Sequence, residues 1–248
     1  MMFQLTFAVI TPALTVGGFA ERMRFSAMLI FSSLCLVMVH ALTCNLMWRG
    51  GWLGGMGLQD FAEGSVVHIT ASVAALIVAT SMGGGRGFGS TAMPPHNLTL
   101  TVTGAGMLWV ACFGFNAGSA VAANSSGAMA TLVIHLSAAR GSLAWMAMEW
   151  LRHGKPFVLG IVTGMVAGLG TITPASGSVG PAGAVVIGLS AGGICYFATI
   201  TFKNRLNIDD SLDVFPVHGV GGMLGLLIAG IFCSPTVGIF SGNVFFAA

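Results

Sequence analysis

The feature that most constrains this chain is the scarcity of charge along long, continuous apolar runs. Only 9 of its 248 residues are Lys or Arg and only 7 are Asp or Glu. Such a sequence lacks the charged surface of a soluble domain, in which about a quarter of the residues are charged. The runs are continuous rather than alternating, which argues against a porin-type barrel. The sequence therefore predicts an all-α, multi-span membrane protein. Its net charge of +2 gives no indication of a nucleic-acid partner.

Eight apolar segments are long enough, or nearly so, to cross a bilayer, which takes about 20 helical residues. We expect them to form a single transmembrane domain over residues 1–248. The segments are 1–20, 25–47, 61–82, 97–117, 122–150, 157–173, 179–201 and 214–233.

Basic residues predict the orientation of these spans, because cytoplasmic connectors are enriched in Lys and Arg. Seven of the nine basic residues fall in the first, third, fifth and seventh connectors, which we therefore expect on the cytoplasmic side. The N-terminus of this chain is then outside. The residues are Arg22, Arg24, Arg86, Arg152, Lys155, Lys203 and Arg205.

Two Asp/His pairs share one spacing. Asp60 precedes His68 by eight residues, and Asp210 precedes His218 by eight. Each pair stands at the start of a span, and the two spans run in opposite directions, as in an inverted-topology repeat. A single intramembrane histidine is often only a helix–helix hydrogen bond, but two at matched positions favour a shared pathway for a small polar molecule. The spacing provides no third ligand for a metal ion.

Aromatic residues near the outer ends of spans form a second group: Trp48, Phe7 and Phe115, with Ser119 close by. Taken alone, each of these aromatic residues is typical of an interfacial belt or of core packing. Together they also fit a cation site, because a tryptophan face attracts cations and a hydroxyl oxygen accepts hydrogen bonds.

Several longer motifs, in order along the whole chain, resemble the Amt/MEP/Rh ammonium transporters, in particular the bacterial Amt type. The most specific are VVHI, FGFNAGSA and DVFPVHGV. The matching runs are residues 3–8, 20–26, 60–62, 66–69, 95–98, 113–120, 170–177 and 213–220.

The resemblance implies an outer ammonium-binding site of Trp48, Ser119 and Phe7, supported by Asp60. It implies a gate of two stacked rings, Phe7 and Phe115, below that site.

Beneath the gate, the resemblance implies a narrow pore lined by the twin histidines His68 and His218, with Leu108 and Val214 on its apolar wall. Taking an ammonium-sized cation into an apolar medium costs on the order of 20 kcal/mol before relaxation. We therefore expect ammonium to lose a proton at the gate and ammonia to pass along the two imidazoles, which burial keeps neutral.

Family members are homotrimers with one pore per protomer and usually eleven spans, so the resemblance also implies these properties. It further implies a place in the inner (plasma) membrane, a role in nitrogen uptake, and a PII-type regulatory protein as a partner on the cytoplasmic face. The connectors that carry Arg86, Arg152 and Lys155 are the surfaces available to that partner. No cofactor is expected, and no nucleophile–base pair indicates an enzyme.

This chain departs from the family pattern in several respects. It begins within the third family span and stops before the last, so an inactive truncated fragment is an alternative, as are an ammonium sensor and a gas channel. Glu63 stands where glycine is usual, and we expect either a solvated acid at a helix start or a source of negative potential in the outer vestibule. Cys112 replaces a common tryptophan, and His135 and Arg140 place polar groups within a span.

Overall fold

The computed structural model describes residues 2–48, 50–91 and 93–232, and all regular structure in these residues is helical. The predicted all-α membrane fold is confirmed. The α-helices are α1 (Met2–Val16), α2 (Phe25–Cys35), α3 (Ala41–Met47), α4 (Trp52–Gly55), α5 (Thr70–Met82), α6 (Leu98–Gly118), α7 (Ser125–His153), α8 (Val158–Ile172), α9 (Pro181–Ile200) and α10 (Val220–Phe232).

Within the described residues, six helical stretches are long and apolar enough to cross a membrane, as a multi-pass protein requires. They are Phe25–Gly55, Gly64–Met82, Leu98–Gly118, Val158–Ala175, Pro181–Arg205 and Phe215–Phe232. The two other predicted spans are also helical. α1 is apolar but has only 15 residues. α7 has 29 residues, among them His135, Arg140 and Glu149, which lower its mean hydropathy.

In the part of the chain that the structure describes, four short π-helical turns interrupt or extend the α-helices: Leu36–His40, Gly64–Ile69, Thr201–Arg205 and Phe215–Gly219. Such turns are rare and occur frequently at functional sites. Three of them carry a histidine, namely His40, His68 and His218. Two of these three lead directly into α5 and α10, the helices that follow the Asp/His pairs of the sequence.

Close packing of α7, α8 and α9 forms the main core, and glycines make that packing possible. A Cβ added to Gly141 would lie 3.0 Å from Gly168 Cα, so the two backbones are in contact. The Ser137 hydroxyl donates to the carbonyl of Gly168 at 2.8 Å across the same interface. Small residues are the usual means of bringing helices together in lipid.

On the face away from Trp48, one guanidinium joins three connectors. Arg22 donates to the carbonyls of Gly18, Gly83 and Asp209, and it forms an ion pair of 3.5 Å with the Asp209 carboxylate. That carboxylate also accepts from the backbone N–H of Gly85 at 2.7 Å. The first, third and seventh connectors therefore lie together, as the charge pattern predicts for connectors on one side of the membrane.

Candidate functional site

Two buried aspartates cap the π-helical turns that precede α5 and α10. Asp60 accepts hydrogen bonds from the backbone N–H groups of Gly64 at 2.6 Å and Ser65 at 2.7 Å, and from the Ser65 hydroxyl. Asp210 accepts from the N–H of Phe215 at 2.7 Å. The first N–H groups of a helix have no partner within the helix, so a side-chain acceptor at this position fixes where the helix begins.

The two caps bring the two histidines together. His68 Nδ1 lies 3.0 Å from His218 Nδ1, and the ring planes are nearly parallel, with centroids 5.1 Å apart and an interplanar angle of 9°. A hydrogen bond between two Nδ1 atoms needs one protonated and one unprotonated nitrogen. The pair can therefore present both a donor and an acceptor to a small molecule.

A narrow cavity of about 40 Å³ lies beside the histidines, and we call it the pore cavity. Its lining includes Phe7, Leu108, Phe115, Leu169, His68 and His218. Leu108 thus lies on the wall, as the resemblance implies. Val214 is buried but is not among the residues that line the cavity, because its side chain packs against Gly17.

A wider cavity of about 310 Å³, which we call the vestibule, lies on the other side of Phe7. Its lining includes all four residues predicted for the outer site, namely Trp48, Ser119, Phe7 and Asp60. The Phe7 and Phe115 rings lie 5.0 Å apart by centroids. Phe7 lines both cavities, whereas Phe115 lines the pore cavity.

Hydrogen bonds fix the vestibule side chains in place. Trp48 Nε1 donates to the backbone carbonyl of Asp60 at 3.0 Å, and the Trp48 ring lies 6.3 Å from that of Phe7. Ser119 donates its hydroxyl proton to the carbonyl of Phe115 at 2.8 Å, so the hydroxyl oxygen keeps lone pairs for a donor in the vestibule. The Asp60 carbonyl thus holds the Trp48 side chain, while the Asp60 carboxylate accepts hydrogen bonds from the helix start.

Glu63 differs from both expectations stated for it. The side chain is only 1% exposed, so it is not a solvated acid, and it lines the pore cavity rather than the vestibule. Neither carboxylate oxygen has a hydrogen-bond partner among the described residues. Burial, and next the negative charge of Asp60, raise the pKa of Glu63 to about 10. The expectations failed because residues distant in sequence, including Pro174, cover this turn.

Two further polar groups near the pore were not predicted. The Asn116 amide nitrogen is buried, lines the pore cavity and has no partner among the described residues. His40 is buried, with Nδ1 3.1 Å from the Thr11 hydroxyl. An ionisable residue inside a span was the available sequence signal for His40. Asn116 lies inside a quoted motif, but nothing in its spacing indicates that it faces the cavity.

The polar residues predicted within α7 lie away from this site. His135 is exposed and stacks against Trp109, with ring centroids 5.1 Å apart. Arg140 is exposed on the same helix. Within residues 2–48, 50–91 and 93–232, no group of three or more His, Cys, Asp or Glu side chains is arranged to hold a metal ion.

Comparison with known proteins places these features in a family context. A sequence model of the Ammonium Transporter Family matches residues 1–246. The chain is 44% identical over 245 residues to the ammonium transporter Amt1 of Archaeoglobus fulgidus, covering 99% of this chain and 62% of that protein. It is 46% identical over 238 residues to the ammonium transporter of Aquifex aeolicus, covering 96% and 56%.

Solved structures give the same result. The crystal structure of Saccharomyces cerevisiae Mep2 matches with a TM-score of 0.89 at 36% identity, over 97% of this chain and 54% of that one. A structure described as a sensor Amt protein matches with a TM-score of 0.90 at 27% identity, over 97% and 62%. The chain therefore spans between about half and three fifths of the length of these relatives.

Proposed function

The chain belongs to the ammonium transporter family, and from that premise we propose that it carries ammonium across a membrane, binding the cation in the vestibule and passing ammonia through the pore cavity. One observation carries the proposal. An aromatic vestibule and an apolar cavity with two imidazoles in contact share the Phe7 ring in their linings, and Phe115 packs against that ring from the pore cavity.

The vestibule has the chemistry of a site for a small cation that donates hydrogen bonds. A desolvated cation gains about 2 kcal/mol over an aromatic face, which Trp48 and Phe7 supply. The Ser119 oxygen accepts hydrogen bonds, and ammonium can donate them whereas potassium cannot. This combination provides selectivity between two ions of similar size.

The pore cavity favours the neutral species. The idealised cost of moving an ammonium-sized cation into an apolar interior is on the order of 20 kcal/mol. After the protein relaxes around the ion, a cost of several kcal/mol remains. A few kcal/mol of cation–π attraction does not offset that cost. Ammonia, in contrast, accepts a hydrogen bond from one imidazole and donates to the other. We therefore assign His68 and His218 to conduction and Phe7 and Phe115 to the gate.

The proposal extends to assembly and location. α2 and α6 expose apolar side chains along their lengths, for example Ile30 and Met107, which need a nonpolar environment. Following the family resemblance, we propose a homotrimer in the plasma (inner) membrane and a PII-type regulatory protein at the basic connectors around Arg86 and Arg152. Native mass spectrometry of the purified chain, with and without a cognate PII protein, tests both assignments. A stable monomer would contradict the first, and lack of binding to the assembled protein would contradict the second.

Growth complementation tests the transport proposal. A strain that lacks its own ammonium transporters, and does not grow on low ammonium at acidic pH, should grow when it expresses this chain. The His68→Ala, His218→Ala double variant serves as the negative control, with membrane insertion of both proteins followed by a fluorescent fusion. Absence of growth despite equal insertion would count against transport and favour an inactive fragment.

A further inference from the structure

Glu63 places a carboxyl group in a mainly apolar cavity, whose other polar side chains include the two histidines, the Asn116 amide and the Thr173 hydroxyl. Glu63 is almost fully buried, and neither of its oxygens has a hydrogen-bond partner among the described residues. Buried polar side chains in proteins are nearly always hydrogen-bonded, so this arrangement requires an explanation. Something small and polar in the cavity would satisfy the carboxyl.

The cavity has room for such a molecule. Its volume is about 40 Å³, whereas a site for one water-sized molecule needs at least about 10–15 Å³. The Asn116 amide nitrogen, which lines the same cavity, also has no partner among the described residues. Glu63 offers acceptors and Asn116 offers donors, so a molecule that both donates and accepts hydrogen bonds fits between them.

The backbone at Glu63 supports a functional origin for this side chain. Its φ of +84° lies in the left-handed region that favours glycine. A longer side chain at such a position is strained, and it persists where the surrounding structure holds it in place. Here the capping bonds of Asp60 to Gly64 and Ser65 hold the turn.

We propose that Glu63 is the proton acceptor for ammonium in this pore, a role that rests on the transport function proposed above. When an ammonium ion passes Phe7 and Phe115, the proton that Glu63 carries at rest leaves to water in the vestibule, and the cation pairs with the carboxylate. An N–H bond of ammonium then breaks and an O–H bond forms on the carboxyl. Ammonia moves on to His68 and His218, and Glu63 is again a neutral acid.

The groups around Glu63 are consistent with this cycle. The titratable groups on the elements packed against it are Asp60, His40, Cys112, His68 and His218. Among the described residues that line the cavity there is no lysine or arginine, so a cation from outside is what the carboxylate would pair with. The raised pKa of Glu63 means that the acid is neutral at rest, as an apolar cavity requires.

Proton release on cation binding gives the proposal a characteristic pH dependence. At pH values below the pKa of Glu63, the acid must lose its proton before the cation can pair with it. Each rise of one pH unit lowers the proton concentration tenfold and so favours this loss by the same factor. The ammonium concentration for half-maximal transport should therefore fall by about tenfold per pH unit. Glu63→Gln cannot exchange a proton, so its half-maximal concentration should be nearly independent of pH.

The experiment uses the purified chain in proteoliposomes, with ammonium chloride as the substrate between pH 6 and pH 8. Glu63→Gln should lower the uptake rate about a hundredfold, the usual effect of losing a general base, and abolish the pH slope. Glu63→Gly relieves the backbone strain and gives the residue usual in the family, and it should also lose the pH slope, so misfolding would not account for that change in both variants. Glu149→Gln is the matched control, since Glu149 is a buried acid outside the pore, bonded to Trp145 and Phe157.

A second readout does not depend on transport. Infrared difference spectra of the same samples should show that ammonium chloride removes a protonated-carboxyl band in the wild type and in Glu149→Gln, but not in Glu63→Gln. Normal uptake and an unchanged pH slope in both Glu63 variants would overturn the role of Glu63 and leave the transport function standing. An ammonium-sensitive band that survives Glu63→Gln would also overturn it. If the wild type takes up no ammonium, the transport function itself fails.

Discussion

The segment around Asp60 and the segment around Asp210 share one backbone plan. In each, an aspartate caps a π-helical turn, an acidic residue three positions later has positive φ, and a histidine follows at the eighth position. The acidic residue is Glu63 in the outer segment and Asp213 in the inner one. Glu63 faces the pore cavity without a partner among the described residues, whereas Lys203 Nζ donates to Asp213 Oδ2 at 2.9 Å.

This difference shows that two segments with the same backbone structure can place an acid beside charges of opposite sign. Burial raises the pKa of both acids, but the cation of Lys203 limits that of Asp213 to about 6. In the described part of the chain no such cation acts on Glu63, and burial together with the charge of Asp60 raises its pKa to about 10. The repeat therefore fixes the position of the acids, and the neighbouring charges determine their protonation.

The largest expected effect comes from removing the histidines, which are the feature that the two segments share. His68→Ala and His218→Ala should each lose most of the transport, and the double variant should be little worse than either. Removing one ring leaves the other's hydrogen bond unmet, at a cost of about 1–3 kcal/mol, and interrupts the pair. Currents on a solid-supported membrane measure this, with His135→Ala as the control ring outside the pore. If the two single losses multiplied in the double variant, the histidines would act independently.

The second prediction tests the difference between the two acids through stability. A carboxyl whose pKa is higher in the folded than in the unfolded chain binds more protons when folded, so stability falls as pH rises between the two values. That interval runs from 4.5 to about 10 for Glu63 and from 3.8 to about 6 for Asp213. The slope for one such group approaches about 1.4 kcal/mol per pH unit.

Thermal midpoints of the detergent-solubilised chain between pH 6.5 and pH 9 measure this effect. The wild-type midpoint should fall with pH, Glu63→Gln should flatten the fall, and Asp213→Asn should leave it unchanged in this range. A Glu63→Gln slope equal to that of the wild type would contradict the burial of an unpaired acid at this position.

The third prediction compares the caps. Asp60 accepts from two backbone N–H groups at 2.7 Å or less and from the Ser65 hydroxyl, while Asp210 accepts from Phe215 at 2.7 Å. Asp60→Ala should therefore cost about 2 kcal/mol and Asp210→Ala about 1 kcal/mol. The shift in thermal midpoint measures both, and Asp60→Asn, which keeps an acceptor oxygen, should recover part of the loss. Equal shifts for the two alanine variants would mean that the outer cap is no stronger than the inner one.

The smallest expected effect concerns the aromatic face that lines the vestibule. Trp48→Leu should raise the ammonium concentration for half-maximal uptake by about fivefold, with little change in maximal flux, because about 1 kcal/mol of cation–π attraction is lost. Trp48→Phe should keep most of the affinity. Phe202→Leu, in the inner aromatic pair with Phe215, is the matched control and should leave the half-maximal concentration unchanged. If Trp48→Leu behaved like Phe202→Leu, Trp48 would not belong to the binding site.

Periodic and local features were predictable from sequence. Long apolar runs predict helices because a chain in lipid must satisfy its backbone hydrogen bonds internally, and the segments marked at 61–82 and 97–117 correspond to helices in the structure. The equal Asp-to-His spacing indicated a repeat, and the structure brings His68 and His218 to 3.0 Å.

Features that depend on distant segments were not predictable. Glu63 stands at a helix start and therefore suggests a solvated acid, but a turn more than 100 residues later covers it, with Phe61 N–H donating to the Pro174 carbonyl at 3.0 Å. Arg22 was recognised only as a cytoplasmic charge. Its partners include the backbone carbonyls of Gly18 and Gly83. Because every residue has a backbone carbonyl, the residue types do not indicate which carbonyls accept these hydrogen bonds.

The π-helical turns have a consequence for how this pore tolerates insertions and deletions. His68 N–H donates to the Glu63 carbonyl, five residues back, at 3.3 Å, so this turn holds one residue more than an α-helical turn. Deleting one apolar residue between Glu63 and His68 would turn this bond into the ordinary α-helical bond to the fourth residue back, so the imidazole would keep its direction, whereas the same deletion within α5 has no extra residue to absorb it and would rotate one part of the helix by about 100°. The extra residue of the turn thus serves as slack, so we expect the loss of one codon inside it to be less damaging than the same loss inside α5.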